Sequence, residues 1–301
     1  MAALQTAASL EAAAPPPVLL LGGATASGKS ALALRLAKAW GGEIVNADSM
    51  QLYAGLRLLT ARPSPAEEAA APHHLFGVAA PEEAWSVGRW LTAAVGALEA
   101  IAARRRPAIV VGGTGLYFRA LTRGLAEIPP VPAAIRQQAA GLWGAGGEPA
   151  VRHRLAALDP AAEQRILPGD RQRLTRALEV VVATGRPISA WQASTTPGPR
   201  QGDWRRIVVE IDRTELYRRC DQRLVAMIES GALDEVADLL RRGLDPQLPA
   251  MKALGVDAFA AQLRGDLSPA EALARVQAQT RQFAKRQLTW FRNQAADWDR
   301  V

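Results

Sequence analysis

Eight consecutive residues, Gly23-Ala24-Thr25-Ala26-Ser27-Gly28-Lys29-Ser30, follow the pattern G-x-x-x-x-G-K-[ST]. The apolar run Val18–Leu21 precedes them and a helix-forming run follows, which is the context a phosphate-binding loop requires. Glycines let consecutive backbone N–H groups converge on one anion, and the helix start adds its dipole. Lys29 would neutralise phosphate charge, and the Ser30 hydroxyl would be a ligand for Mg²⁺. The octet is therefore read as diphosphate-binding, but a diphosphate site does not name a reaction. A nucleotide-driven motor or switch adds a carboxylate at the end of an apolar strand. Here the best late strand, Ala108–Val111, runs instead into Gly112-Gly113-Thr114-Gly115-Leu116-Tyr117. The carboxylate follows a different strand, at Asp48 in Asn46-Ala47-Asp48-Ser49-Met50-Gln51. At the carboxyl end of a parallel strand it would share a crevice with the loop and could take a proton from an attacking group. On position alone, a capping or turn Asp is the competing reading.

The elements that must position these groups can be read from the chain. Strand, glycine loop and helix over 18–40, a second strand at Glu43–Val45, an amphipathic helix near 86–105 and the strand Ala108–Val111 imply an α/β fold. Its core is a P-loop NTPase-like parallel sheet with right-handed crossovers. The pattern turns helical between a linker at 128–132 and a second at 195–203. RRIVVEID at 205–212 then returns to strand character, and helices dominate the remainder. The predicted organisation is a disordered N-terminal tail (1–17), an α/β core with C-terminal helices (18–127 and 201–301) and an inserted helical domain (128–200).

Composition narrows the partners. Lys and Arg number 36 against 29 acidic residues, a formal +7, which suits a polyanion such as nucleic acid. The insertion carries nine arginines and five acidic residues and no lysine. No apolar run reaches the length of a membrane span. The single cysteine, Cys220, excludes an internal disulfide framework and fits a cytoplasmic protein; it reads as a small helical residue. His73 and His74 have no metal-ligand spacing and are expected to make structural hydrogen bonds. Asp234 and Glu235 superficially resemble an acidic prenyltransferase box, yet they follow Gly231 where a helix start favours carboxylates.

Jointly, several segments resemble one family, the tRNA dimethylallyltransferases. GATASGKS is similar to that family's GPTASGKT/S, with Ala24 in place of proline. DSMQLY at 48–53, TARPS at 60–64, PHHL at 72–75 and GGTGLYFRAL at 112–121 resemble its motifs in the right order. So do LDPAAEQRILPGDRQRLTRALEV at 158–180 and TRQFAKRQLTWFR at 280–292. Where the family has I-G-Y, this chain reads Leu254-Gly255-Val256. The resemblance implies transfer of a dimethylallyl group from dimethylallyl diphosphate to N6 of the adenosine next to the tRNA anticodon. It implies Asp48, Thr114 and Arg223 as catalytic residues and Mg²⁺ as cofactor. It implies tRNA contacts from Asp48, Ser49, Met50, Gln51, Thr114, Arg136, Gln172, Arg173, Leu174, Thr175, Arg176, Lys252, Arg281 and Lys285. A monomer is expected.

Before the resemblance, Arg223 reads as a solvated helical arginine, Trp290 and Phe291 as packing aromatics, and Arg281, Lys285 and Arg292 as one charged helix face. Two further functions use the same loop and carboxylate: a small-molecule kinase with Asp48 as base, and a prenyltransferase acting on free adenine nucleotides. A non-catalytic nucleic-acid-binding P-loop protein is a third class.

Overall fold

The computed structural model describes residues 8–194, 198 and 204–301. Apart from Gly198, the linker expected at 195–203 lies outside the described residues. Six strands form one parallel sheet in the order β3-β2-β4-β1-β5-β6. They are β1 (Val18–Gly23), β2 (Glu43–Asn46), β3 (His73–His74), β4 (Ala108–Gly112), β5 (Trp204–Val209) and β6 (Asp299–Arg300).

β1 (VLLLGG) and β4 (AIVVG) are continuous apolar runs because both their faces are covered, whereas β2 carries Glu43 and Asn46 at its ends and β5 carries Arg205 and Arg206. Leu20 of β1 and Val110 of β4 enter one core, beneath helices α3 (Val87–Ala103) and α4 (Gly115–Arg123) and the C-terminal helices. Their neighbours Leu19, Leu21, Ile109 and Val111 enter the other, against α1 (Lys29–Trp40). Period-two alternation thus feeds two cores from one sheet. Helix α2 (Pro65–Ala70) opens with a Ser64–Glu67 capping box.

The chain divides into two compact units, 1–121 with 200–301, and Thr122–Pro199. The second contains α5 (Ala133–Leu158), kinked at Gly147, α6 (Pro160–Arg165), α7 (Arg171–Thr184) and α8 (Ile188–Ala193). These helices gather around their own core of Val151, Leu155, Leu174, Leu178 and Val181. Asp159 fastens it, receiving the Ser189 hydroxyl at 2.7 Å and the amides of Ala162 and Ser189. The first unit ends with α9 (Arg213–Glu229), α10 (Ala232–Arg241), α11 (Val256–Arg264) and α12 (Pro269–Gln294). A Ser268–Glu271 capping box starts α12.

One expectation is corrected. Of the tail expected at 1–17, residues 1–7 lie outside the described residues; residues 8–12 are helical, and Leu10 is 2% exposed, packed with Leu32 and Leu36. Glu11 adds a 2.8 Å pair with Arg35. A single leucine supplies the anchor; the surrounding alanines and prolines gave no periodicity to reveal it.

At the far end of the sheet from the glycine loop, the carboxylate of Glu43 is almost buried. It accepts from Arg104 at 3.0 and 2.7 Å and hydrogen-bonds His74 Nε2 at 2.7 Å. His73 Nδ1 lies 2.8 Å from the Ala71 carbonyl, so both histidines serve structure. The Arg104 guanidinium holds the Glu43 carboxyl below its ordinary value of 4.5, against burial and with help from His74. A depressed carboxyl contributes stability that is present above that value and lost as pH falls through the folded one. Glu43→Gln should therefore cost about 1–3 kcal/mol at neutral pH, and its deficit should shrink in acid. Urea melts at neutral pH and near pH 4 test this; a deficit that persists unchanged in acid contradicts it.

Candidate active site

Three spatially adjacent strands, β2, β4 and β1, end at the same sheet edge and deliver Asp48, Thr114 and the glycine loop there. The loop closes with a Ser27 N–H to Ala24 O bond of 3.2 Å. Ala26 adopts φ 62° and Gly28 φ 95°, the left-handed turns that aim successive amides at one point. Helix α1 begins at Gly28 with no side-chain cap, unlike α2 and α12. Its first N–H groups are left for a ligand. The Ser27 hydroxyl is buried with no hydrogen-bond partner.

Lys29 is 8% exposed, and Nζ donates to Ala24 O at 3.0 Å. It forms no ion pair among the described residues. Burial lowers its pKa from 10.5 to about 8; Asp48 raises it in part and Arg223 lowers it further. Such an ammonium is a strong attractor for an anion that enters beside it.

Asp48 is presented by an Asn46-centred turn. Asn46, fully buried, accepts the Asp48 amide at 2.7 Å and donates to the carbonyls of Asp48 and Leu75 at 2.9 Å each. Trp90 Nε1 donates to Asn46 O at 2.9 Å, and its ring stacks on Tyr117 at 3.9 Å. Asp48 Oδ1 accepts the Met50 amide at 3.0 Å. Thr114 joins the β4 turn to the β2 turn: its N–H donates to Ala47 O at 3.1 Å, and its Oγ1 accepts the Ser49 amide at 3.0 Å. The approach is so close that a Cβ on Gly112 would lie 2.0 Å from Ala47 O.

The C-terminal helices close the site. From α9, Arg223 donates to Thr25 Oγ1; burial lowers its pKa, and Cys220 and Asp48 oppose that. From α12, Gln287 Oε1 accepts the Thr25 amide at 2.8 Å, and Nε2 donates to Gly113 O at 3.0 Å. Thr25, Asp48, Ser49 and Arg223 line a cavity of about 290 Å³, whose walls also include Leu59, Leu224, Met227, Leu254 and Phe283, with Lys252 and Arg286 as further cations. Glu235, in the first turn of α10, accepts the amides of Leu58 and Leu59 at 2.8–3.0 Å and so holds one wall. This site can bind an anion at one end, receive an apolar group beside it and offer a carboxylate to an attacking group.

The sequence-predicted residues divide accordingly. Thr25, Asp48, Ser49, Met50, Arg223 and Lys252 share the cavity. Ser30 is exposed on the first turn of α1 and borders a separate space of about 40 Å³. Gln51 Nε2 is spent on the carbonyls of Thr60 and Ala61. Lys252 and Lys285 are exposed, and Arg281 makes a two-pronged pair with Asp221 at 2.7 and 2.8 Å. In the second unit, Arg136, Gln172 and Arg173 are exposed, while Thr175 and Arg176 are half-buried. Leu174 is a correction: it is 0% exposed in the core of that unit, so its side chain is not a contact residue. Asn46, Gln287 and Glu235 were missed as site-shaping residues. Asn two positions before Asp48 is an available turn signal; for Gln287 the signal was a long polar side chain on a helix stripe otherwise made of Ala272, Val276, Thr280, Ala284 and Phe291.

The IPP transferase family model matches residues 51–294, and the isopentenyl transferase model matches 16–71. The chain is similar to the tRNA dimethylallyltransferases of Caulobacter sp. (strain K31) and Phenylobacterium zucineum (strain HLK1). The identities are 59% and 60% over 281 residues, covering 93% of this chain and 91% of each relative. Among solved structures, a eukaryotic dimethylallyltransferase acting on tRNA superposes with a TM-score of 0.77 at 27% identity, over 91% of this chain and 69% of that one. The full-length tRNA isopentenylpyrophosphate transferase of Bacillus halodurans gives a TM-score of 0.65 at 30% identity, over 95% and 89%.

The depressed Lys29 gives a pH test. Holding it charged costs stability below about pH 8, and the cost is relieved as pH rises from there towards 10.5. Lys29→Met should therefore raise the melting temperature at pH 7 while abolishing binding of inorganic diphosphate. In the wild type, diphosphate should bind with proton uptake near pH 8 and weaken above it, although the ligand itself gains charge there. Calorimetry in buffers of different ionisation enthalpy measures both; an affinity flat across this range would contradict the assignment.

Proposed function

Because the chain belongs to the IPP transferase family, we propose that it is a tRNA dimethylallyltransferase. The group moves from dimethylallyl diphosphate to N6 of the adenosine 3′-adjacent to the anticodon, position 37, and diphosphate is released. The observation that carries this reading is the union of a phosphate loop and an apolar-walled cavity, joined at Thr25 and Arg223, with Asp48 on the cavity wall.

The chemistry follows from that arrangement. N6 of adenine is a weak nucleophile because its lone pair is delocalised into the ring. Asp48 accepts a hydrogen bond from the amine and then its proton as the bond to C1 of the donor forms. The C1–O bond breaks, and its electron pair leaves with the diphosphate. Loop amides, Lys29 and Arg223 are in place before that charge develops, which is where preorganised donors act most strongly. The apolar walls shield the allylic carbon from water. The target base must leave its stack to enter a cavity of this kind.

The donor set fits Mg²⁺. Among the described residues no three His, Cys, Asp or Glu groups gather as a metal site. The Ser30 hydroxyl at the uncapped start of α1 suits an ion that takes few protein ligands and completes its shell with phosphate oxygens and water. Bound there, Mg²⁺ would neutralise leaving-group charge.

A small-molecule kinase is less well supported, because the apolar walls match an isoprenoid group better than a polar acceptor. A free-nucleotide prenyltransferase would share the active site. The arginine-rich second unit favours tRNA: Arg173 and Arg176 lie along α7, and guanidinium groups suit phosphate forks and the unpaired bases of a loop. No described helix is long and apolar enough to cross a membrane.

Incubation with bulk tRNA and labelled dimethylallyl diphosphate, followed by nucleoside analysis, tests the reading directly. Phosphoryl transfer from ATP without label in tRNA would overturn it. Asp48→Ala should lower the single-turnover rate about 10²–10⁴-fold with donor affinity changed far less; a near-normal rate at saturation would remove Asp48 from catalysis. Replacing Arg173 and Arg176 together with Ala should weaken tRNA binding and reduce the salt slope by roughly one for each phosphate no longer neutralised. An unchanged slope would place the RNA elsewhere.

A further inference from the structure

Along α12 the buried face reads Ala272, Val276, Thr280, Ala284, Gln287 and Phe291. Gln287 is 5% exposed, and both ends of its amide are used. A backbone N–H can only donate and a carbonyl can only accept, so the two partners fix the amide's orientation. If packing alone were at stake, leucine would serve this stripe without a desolvated amide.

The partners lie far apart in sequence and belong to different halves of the site. Thr25 is in the phosphate loop, and its hydroxyl receives Arg223. Gly113 precedes Thr114, whose hydroxyl holds the amide of Ser49 beside Asp48. One carboxamide therefore bonds both the loop that binds the leaving group and the turn that supports the base. The fit leaves no room for a side chain at Gly113, where a Cβ would stand 2.1 Å from Gln287 Nε2. Phe291 and Trp290 press on Gly22 and Gly115 in the same way, at 2.4 and 2.1 Å, so α12 is seated against the ends of β1 and β4 at three successive points. Because the Thr25 amide is committed to Gln287, it does not point at the anion; the cradle is formed by the residues after it.

We propose that Gln287 is a positioning residue that holds the phosphate loop and the Gly113-Thr114 turn in register, setting the separation between leaving group and attacking amine. This rests on the prenyl-transfer reading for its catalytic consequence, but its effect on the anion cradle does not.

The test compares wild type with Gln287→Met, which keeps the shape and loses both bonds, and Gln287→Glu. An ionised Glu still accepts from Thr25 but cannot donate to Gly113; a protonated one does both, like the native amide. Gln287→Met should bind inorganic diphosphate with Mg²⁺ about tenfold more weakly and turn over roughly 10–100-fold more slowly at saturating substrates, with tRNA affinity within about twofold. Gln287→Glu should regain activity relative to wild type as pH falls. A ratio of Glu variant to wild type that is flat with pH would overturn the proposal, and it decides the matter even if the Met variant fails to fold. So would a Met variant of lowered melting temperature but wild-type rate and diphosphate affinity. A wild type that binds diphosphate yet moves no prenyl group to tRNA would instead count against the functional reading alone.

Discussion

The ammonium of Lys29 is buried, bonded among the described residues only to the carbonyl of Ala24, and shifted to a pKa of about 8 by desolvation. A cation in that position is costly to hold, and the site is arranged so that an anion offsets the cost. The helix that follows begins without a side-chain cap, and the left-handed Ala26 and Gly28 turn loop amides inward. The Asp48 carboxylate tempers the Lys29 shift, and among the described residues the two form no ion pair. Keeping that carboxylate at arm's length leaves it free to meet an attacking group, while the ammonium stays available for a phosphate.

Such a loop cannot hold itself. The N-terminal half of the chain carries the reacting groups, and the C-terminal half supplies the side chains that fix them. Arg223 and Gln287 both reach Thr25, from separate helices and from 198 and 262 residues away. Glu235 reaches across 177 residues to the amide of Leu58. Glycines at 22, 112, 113 and 115 permit the Phe291 and Trp290 rings, the Ala47 backbone and the Gln287 amide to approach where a Cβ would collide. The glycine motif after β4 is therefore a packing requirement imposed by α12 and by the β2 turn, with Thr114 as its one polar hydroxyl.

β1 and β4 were legible because fully buried parallel strands are apolar throughout, β2 and β5 from their short apolar cores Ile44-Val45 and Ile207-Val208-Val209, and the glycine loop because its spacing is tied to one backbone geometry. Asp48 was legible as the first carboxylate after a strand. The two-residue strands β3 and β6 were not: His73–His74 and Asp299–Arg300 have no periodicity, and both are made by pairing at the sheet's edges. Arg223 looked like a solvated arginine until the resemblance singled it out, since nothing local marks which helical arginine turns inward. Gln287 was hidden for the same reason, its partners being remote backbone atoms. Leu174 was open to a better reading, since Leu174, Ala177, Leu178 and Val181 follow helical spacing and all face inward.

Three costly features gather at the phosphate loop. Several helices away from the loop are closed by capping boxes at Ser64 and Ser268, an Asp212 cap and glycine ends at Gly185 and Gly265. Around the loop lie an unpaired lysine, the partnerless hydroxyl of Ser27 and a non-glycine residue with φ of 62°. In the left-handed region an L-residue costs roughly 1–2 kcal/mol, and each buried unpaired polar group adds a further penalty. Single departures of these kinds occur elsewhere, at Trp40 Nε1 and at Ala61 for example, but around the loop they coincide, and a phosphate there would pair with both the lysine and the hydroxyl. The bonds from Gln287 and Arg223 to Thr25 hold the loop in that conformation before the ligand arrives, so that binding need not reorganise it. That is the physical basis on which a rigid sheet edge, clamped by distant helices, can offer one preformed geometry to a charged leaving group.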